Sequence, residues 1–336
     1  MLPTWKSALA VVGSVLALGT ATPAPAQVTI KMTGPTINDA LHEWAKVYAV
    51  RLEKAAPGKF KGEVYPASQL GSIPRMVEGL QFGTIEVAML PPEFMVGLVK
   101  QYQVLGAPIV MDDITHGYRI VHHPDFQKAF WTLAEAKGIK VVGQVCDSDT
   151  IYVARTPLRT IADFDGKKIR VFGTAMEREQ FRRLGATATP MPPDEMMTAI
   201  QQGALDGAKG GVPLFMGFKF YAVAKYMIRT GEAMICSLRM MSKAFFDKQP
   251  AQLQKILLEE AKATDVENYK FGADQLETMY KGWVAGGGEL ALLSPAERAE
   301  MNKRLATVGD EVVKNDPELK AAYEVYKRVA DATRKK

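Results

Sequence analysis

The sequence predicts an α/β protein with two lobes, each built on a βαβαβ sheet with helices on both faces. Residues 80–88, LQFGTIEVA, return as IQQGALDGA at residues 200–208, and each copy combines a helix end, a glycine at the C′ position and a short strand. Upstream, residues 30–34 and 169–173 are short strands that end in glycine and precede a helix and another strand. Such alternation predicts parallel sheets that bind ligands at the carboxyl ends of their strands. We therefore expect a ligand cleft between the lobes.

Apolar periodicity and breaker residues predict the elements of the first lobe. Asn38 is expected to cap a helix that ends at Pro57 and Gly58. The apolar face of this helix follows the 3.6-residue period at Leu41, Trp44, Ala45, Tyr48 and Leu52. Residues 60–65 and 85–90 are predicted strands, and the helix between them presents Met76, Val77 and Leu80.

The chain is predicted to cross between the lobes twice. A β-rich run over residues 139–156 leads into the second lobe, and a second run over 233–241 leads out of it. A long helix over 251–283, a helix opened by Ser294 and Pro295, and a last helix over 317–333 follow. The predicted domains are residues 27–148 plus 238–283, residues 149–237 plus 284–310, and a C-terminal helix within 311–336. Paired crossings form a hinge, which lets two lobes close around a ligand.

The first 26 residues have the features of a signal peptide. Lys6 supplies a positive charge, residues 8–18 form an apolar core that is too short to span a bilayer, and residues 24–26 form an A-x-A cleavage site. We therefore expect an exported, periplasmic protein that begins near Gln27.

Composition and missing motifs exclude several classes of function. The chain is 47% hydrophobic and 24% charged, which is typical of a globular protein, and its net charge of +5 is dispersed. Dispersed charge argues against nucleic-acid binding and indicates a mild preference for anionic ligands. The chain lacks G-x-S-x-G, P-loop, H-E-x-x-H and C-x-x-C motifs, so we expect neither an enzyme nor a cofactor. In the His122–Asp125 run, Pro124 favours a loop and the usual metal-ligand spacing on a helix is missing, so we expect no metal. We also expect a monomer.

Two cysteines, Cys146 and Cys236, lie in or beside apolar, strand-like runs. An exported protein can form disulfides, but a bond requires the two strands to meet at these positions. The sequence leaves open either a disulfide or two buried thiols.

Four motifs in order resemble the solute-binding proteins of tripartite ATP-independent periplasmic (TRAP) transporters, the DctP-like family. They are residues 161–171 (IADFDGKKIRV), 201–208 (QQGALDGA), 219–226 (KFYAVAKY) and 66–71 (PASQLG). The resemblance covers essentially the whole chain after the signal peptide. It implies a periplasmic-binding-protein-like fold and a receptor that closes over an organic acid and delivers it to an ion-coupled membrane permease. The alternatives are a ligand-binding subunit of another importer or of a sensor system.

In this family, the arginine of the D-x-x-G-x-K-I-R-V block clamps the ligand carboxylate, and that residue here is Arg170. A guanidinium fork matches carboxylate geometry and stays charged. The alternative is a surface arginine paired with Asp163 or Asp165.

The chain also departs from the family pattern at two places. Gly210 replaces an asparagine that contacts ligand in many relatives, and Thr150 and Tyr152 lie where many have a second arginine. Bulky residues are expected nearby, at Phe172, Phe215, Phe218 and Tyr221, although these aromatics can equally belong to the core. One charged anchor and aromatic walls favour an aromatic or branched monocarboxylate, with Lys209 or Arg155 as a possible second anchor.

Overall fold

The computed structural model describes residues 27–335, which form nine strands and twelve α-helices. The strands are β1 (Val28–Thr33), β2 (Phe60–Tyr65), β3 (Val87–Leu90), β4 (Ile139–Ala154), β5 (Lys168–Val171), β6 (Thr187–Pro190), β7 (Gly207–Gly210), β8 (Tyr226–Ser242) and β9 (Glu289–Leu292). The helices are α1 (Ala40–Ala55), α2 (Ile73–Phe82), α3 (Ile114–Val121), α4 (Pro124–Phe130), α5 (Ala175–Arg183), α6 (Pro193–Gln201), α7 (Val212–Gly217), α8 (Lys243–Asp247), α9 (Ala251–Ala285), α10 (Pro295–Leu305), α11 (Val308–Val313) and α12 (Pro317–Thr333). The predicted signal peptide and its cleavage site lie outside the described residues.

Both lobes contain the predicted βαβαβ unit. In the first lobe, β1 pairs in parallel with β2 and β3, and in the second, β5 pairs in parallel with β6 and β7. The two glycines of the internal repeat have the left-handed backbone expected of helix-ending residues, with φ of 73° at Gly83 and 75° at Gly203. The repeated helix–glycine–strand pattern is therefore confirmed in both copies.

Two long antiparallel strands, β4 and β8, join the lobes into one sheet. The strand order is β2-β1-β3-β8-β4-β7-β5-β6, with β9 paired to β8. The first lobe attaches through β3 to the C-terminal half of β8, and the second through β7 to the C-terminal half of β4. The sheet is therefore mixed: each lobe's own strands are parallel as predicted, and the crossing strands are antiparallel.

A disulfide links Cys146 and Cys236 at paired positions of these crossing strands. This finding decides between the two alternatives that the sequence left open. The bond lies where both lobes meet.

The long helix α9 contacts both lobes. It runs for 35 residues and packs against α1 and β4 on one side and α7 and β9 further along. Its N-terminal part buries Leu257 and Ala261 in the first lobe's core, and its C-terminal part buries Tyr280 and Trp283 in the second lobe's core. The helix therefore braces the hinge, while the exact lobe boundaries stay a prediction.

Two local expectations need comment. The N-cap of α1 is Asp39 rather than the predicted Asn38: the Asp39 side chain accepts a hydrogen bond from the His42 N–H at 3.0 Å, and Asn38 has a left-handed φ of 57°. Pro124 begins α4 rather than lying in a loop, with the His123 side chain as its cap. Within residues 27–335, no group of three potential metal ligands occurs, and no helix has the length and apolarity needed to cross a bilayer.

Candidate functional site

A cavity of about 50 Å³ lies where the two lobes meet. Its walls include residues from the loops that follow β1, β3, β5 and β7. These strands belong to the parallel part of the sheet in each lobe. The second lobe contributes Phe172, Pro193, Gly211, Pro213 and Leu214. This position at the carboxyl ends of the strands is the one expected for a ligand site in such a fold.

Arg170 lies on β5 beside this cavity and is completely buried. Its Nε donates to the carbonyl of Met191 at 2.7 Å and its Nη1 donates to the carbonyl of Lys209 at 3.0 Å. Among the described residues, Nη2 has no hydrogen-bond partner and no carboxylate lies within 4 Å of the guanidinium. Burial lowers the Arg170 pKa to about 10, so the side chain stays a cation at neutral pH.

The alternative for Arg170, a surface pair with Asp163 or Asp165, is wrong. Asp163 instead accepts hydrogen bonds from the backbone N–H groups of Arg159 and Thr160 at 2.7 and 2.8 Å, and Asp165 is exposed. Arg170 therefore has no structural partner of opposite charge at salt-bridge distance within the described chain.

Two aromatic rings from opposite lobes meet over Arg170. Phe94 of the first lobe and Phe172 of the second pack edge to face with ring centroids 5.2 Å apart. The Arg170 guanidinium carbon lies 4.7 Å from the Phe172 ring centre and 5.6 Å from that of Phe94, within cation–π range. Both rings line the inner cavity on one side and an outer groove of about 450 Å³ on the other. They therefore separate the cavity from this groove.

One wall of the cavity is acidic. Thr36, Asp39 and Asp147, which we call the acidic wall, are exposed by only 9%, 3% and 5%, and all three line the cavity. Burial raises the pKa of Asp147 to about 7 and also raises that of Asp39. Sequence reasoning missed this wall. The signal was Asp147, an ionisable residue within the otherwise apolar run of β4.

The remaining predicted site residues do not line the cavity. Phe215 is buried in the second lobe's core with its ring 5.3 Å from that of Phe220, and Tyr221 packs on Trp283 at 5.8 Å. Phe218 is partly buried against the same core. All three rings belong to or pack against the second lobe's core, so core packing accounts for these aromatic residues without a ligand contact.

The predicted polar positions are likewise structural. The Tyr152 hydroxyl accepts from Gln180 Nε2 at 2.8 Å and contacts Glu232, and Thr150 is buried in β4. Gly210 packs under Phe215, because an added Cβ would lie 2.9 Å from that ring. A side chain at this position would require Phe215 and Leu214 to shift.

Neither candidate second anchor faces the cavity. Lys209 is buried with its Nζ 3.3 Å from Gln180 Oε1 and 3.4 Å from Glu177 Oε1, and Arg155 is exposed. Of the predicted site residues, Phe172 alone lines the cavity, and Arg170 lies behind that ring, with its guanidinium carbon 4.7 Å from the ring centre.

Two βαβαβ lobes with a cavity where they meet, and a buried arginine with a free donor behind its aromatic wall, are the arrangement expected of a solute-binding protein of the periplasmic-binding-protein type. The profile of the DctP family, bacterial extracellular solute-binding protein family 7, matches residues 33–316. The chain belongs to this family, which comprises binding receptors rather than enzymes. The predicted fold and the resemblance to TRAP solute-binding proteins are confirmed.

Individual relatives agree with this assignment. The chain is 28% identical over 295 residues to the 2,3-diketo-L-gulonate-binding periplasmic protein YiaO of Escherichia coli, covering 85% of this chain and 88% of YiaO. It superposes on the sugar acid binding protein DctPAm from Advenella mimigardefordensis, in complex with galactonate, with a TM-score of 0.87 at 20% identity, covering 92% and 99% of the two chains. A TRAP solute-binding protein from Shewanella oneidensis with bound succinate gives 0.84 at 23% identity, covering 91% and 100%.

Proposed function

We propose that this protein is an extracytoplasmic receptor that binds an organic acid between its lobes and delivers it to a TRAP-type, ion-coupled membrane permease. The observation that carries the proposal is the state of Arg170. A fully buried guanidinium is costly unless its charge is paired, yet this one has two backbone partners, an unpartnered Nη2 and no carboxylate within 4 Å. A ligand carboxylate supplies the missing partner.

The relatives support this anchor because their named ligands share one feature. 2,3-Diketo-L-gulonate, galactonate and succinate differ in length and hydroxylation, but each has a carboxylate. The two bonds that fix Arg170 come from the backbone, so the fork is oriented before ligand arrives and little entropy is lost on binding.

Entry of a ligand requires the lobes to part. The cavity of about 50 Å³ is a third of the roughly 150 Å³ that accommodates benzene in an engineered core. The Phe94–Phe172 contact closes it on one side, and the crossing strands with α9 supply the hinge. Small-angle scattering should show a smaller radius of gyration at saturating ligand than without it. An unchanged radius would contradict closure.

The anchor is tested by Arg170→Ala and Arg170→Lys, using an acid identified by mass spectrometry of the purified protein and a thermal-shift screen. We expect Arg170→Ala to lose about 2–5 kcal/mol of binding free energy, because a ligand charge is left unpaired in a closed site. Arg170→Lys should also bind more weakly, since it keeps the charge and loses the fork. Exposed Arg155→Ala is the matched control. Calorimetry that finds Arg170→Ala within about threefold of wild type would refute the anchor.

Export and delivery are tested separately. Amino-terminal sequencing of the protein from a periplasmic fraction should give a start near Gln27. Crosslinking in intact cells should recover membrane permease subunits, whereas recovery of a sensor kinase alone would favour the sensor alternative.

A further inference from the structure

The acidic wall is the part of the cavity that the proposed function does not use. Thr36, Asp39 and Asp147 line the cavity, whereas Arg170 lies behind its Phe172 wall. An acid whose carboxylate binds Arg170 would therefore direct its other end toward these three residues. Carboxylates on that side would repel a second anionic group of the ligand. An apolar ligand group there would leave the carboxylates without a hydrogen-bond donor. The wall therefore bears on which organic acids fit, and the inference rests on the proposed function.

The acidic wall and the neighbouring Asp265 together place three buried carboxyl groups around one arginine. Arg239, fully buried behind it, is the cation that acts on Asp39, Asp147 and Asp265. Its Nη1 and Nη2 donate to Ser237 O and Asn268 Oδ1, and its Nε lies 3.9 Å from Asp265 Oδ1. One guanidinium thus faces three carboxylates.

The three carboxylates also differ in the number of hydrogen bonds that they accept. Asp265 accepts from Trp44 Nε1 at 2.7 Å and from Gln144 N at 3.1 Å, and Asp39 accepts from His42 N at 3.0 Å. No other residue in 27–335 donates a hydrogen bond to the Asp147 carboxylate or forms a salt bridge with it. Asp147 is therefore the carboxylate of the three whose acceptor capacity is free.

A second observation at the same wall is independent of charge. The Thr36 hydroxyl is buried, lines the cavity and has no partner at hydrogen-bond geometry within the described part of the chain, although it lies close enough to the Asp39 carboxylate to lower the pKa of that group. Buried polar groups in folded proteins are nearly always partnered. An unpartnered hydroxyl beside an unpartnered carboxylate, both on a cavity wall, indicates a missing polar ligand group.

We propose that the ligand of this protein is an organic acid that also has a hydrogen-bond donor, a hydroxyl or an ammonium group, at the end opposite its carboxylate. Asp147 accepts from this donor, and Thr36 and Asp39 lie beside it. The acidic wall selects against acids that end in a methyl group or an aromatic ring, since these leave Asp147 unpaired. It also selects against dicarboxylates, whose second charge would face Asp39 and Asp147.

The test compares acids that share a carbon chain and differ only in the terminal group. For chains of three to six carbons, calorimetry measures binding of the methyl-, hydroxyl-, ammonium- and carboxylate-terminated members, such as butyrate, 4-hydroxybutyrate, 4-aminobutyrate and succinate. Wild type should bind a donor-terminated member at least tenfold more tightly than its methyl and carboxylate counterparts. Failure of every member to bind at millimolar concentration, or tighter binding of the methyl or carboxylate member, overturns the inference.

Two variants separate the two donor groups. Asp147→Asn removes the charge but keeps an acceptor, so a preference for ammonium should fall at least tenfold and a preference for hydroxyl by less. Asp147→Leu should abolish either preference. Exposed Asp274→Asn on α9 is the control, and circular dichroism with thermal melts verifies that each variant is folded.

The outcomes also distinguish this inference from the proposed function. If Arg170→Ala abolishes binding of all acids while Asp147→Asn and Asp147→Leu leave the terminal-group preference unchanged, only the role of the acidic wall is wrong. If Arg170→Ala leaves binding intact, the proposed anchor is wrong.

Discussion

Two fully buried arginines lie near the interlobe cavity, and they differ in their surroundings. Arg239 of the first lobe has Asp265 at 3.9 Å and interacts at longer range with Asp39 and Asp147. Among the described residues, Arg170 of the second lobe has no carboxylate within 4 Å, interacts with Glu177 and Glu93 at longer range, and is held by two backbone carbonyls. Near Arg239 the Asp147 carboxylate keeps free acceptor capacity, whereas Arg170 keeps a free donor in Nη2, and the proposal of an asymmetric ligand rests on this difference.

The largest expected effect is a loss of stability when Arg239 of the first lobe is replaced. Arg239→Met would leave Asp39, Asp147 and Asp265 buried without their cation, which should cost about 3–5 kcal/mol of unfolding free energy. Arg170→Met should cost clearly less, because no carboxylate depends on it at close range. Urea unfolding of both variants without ligand measures the difference. Equal losses would show that the two arginines have the same structural role.

The next prediction concerns pH and Asp147. Burial raises the pKa of Asp147 from the ordinary 3.8 to about 7. The positive charge of Arg239 opposes this shift, and the negative charge of Asp39 adds to it. The folded state therefore holds this proton more tightly than the unfolded state, so the contribution to stability is present below about pH 4 and is lost as the pH rises to about 7. Asp147→Asn cannot ionise and should exceed wild type by about 1–4 kcal/mol at pH 8, with the gap closing by pH 4.

Urea unfolding across this pH range provides the check. If the difference in unfolding free energy between Asp147→Asn and wild type does not change with pH, the pKa of Asp147 is not raised in the folded protein. A variant that is more stable and yet binds a donor-bearing acid more weakly would show that the native residue is retained for binding at a cost in stability.

The smallest expected effect concerns the contact that joins the two sides. Phe94→Ala removes one ring of the interlobe pair and its cation–π contact with Arg170, together about 1–2 kcal/mol in the closed state. Ligand dissociation should accelerate about tenfold with little change in association, which stopped-flow kinetics measures. The control is Phe82→Ala, whose ring is 79% exposed. Identical dissociation rates would mean that the ring pair does not hold the lobes together.

Local patterns predicted most of the fold. Periodicity and glycine stops gave both βαβαβ units, and the ends of the last helix, 317 and 333, match the structure. The cap of α1 was misplaced by one residue because Asn and Asp are both good caps, and only the left-handed φ of Asn38 distinguishes them. Pairing of Cys146 with Cys236 depends on the register of two strands about 90 residues apart, which no local pattern contains.

The sequence by itself determined the repeat and the two crossings, because each depends on residues close together in the chain, and a motif of fixed spacing singled out Arg170 as the proposed anchor. Only the tertiary structure decided which side chains line the cavity. Phe215, Phe218 and Tyr221 are adjacent in sequence to the site and yet face the core, whereas Asp39 and Asp147, more than 100 residues apart, share one wall. Burial and direction of a side chain depend on packing between distant elements, so composition near a motif does not fix what a ligand contacts.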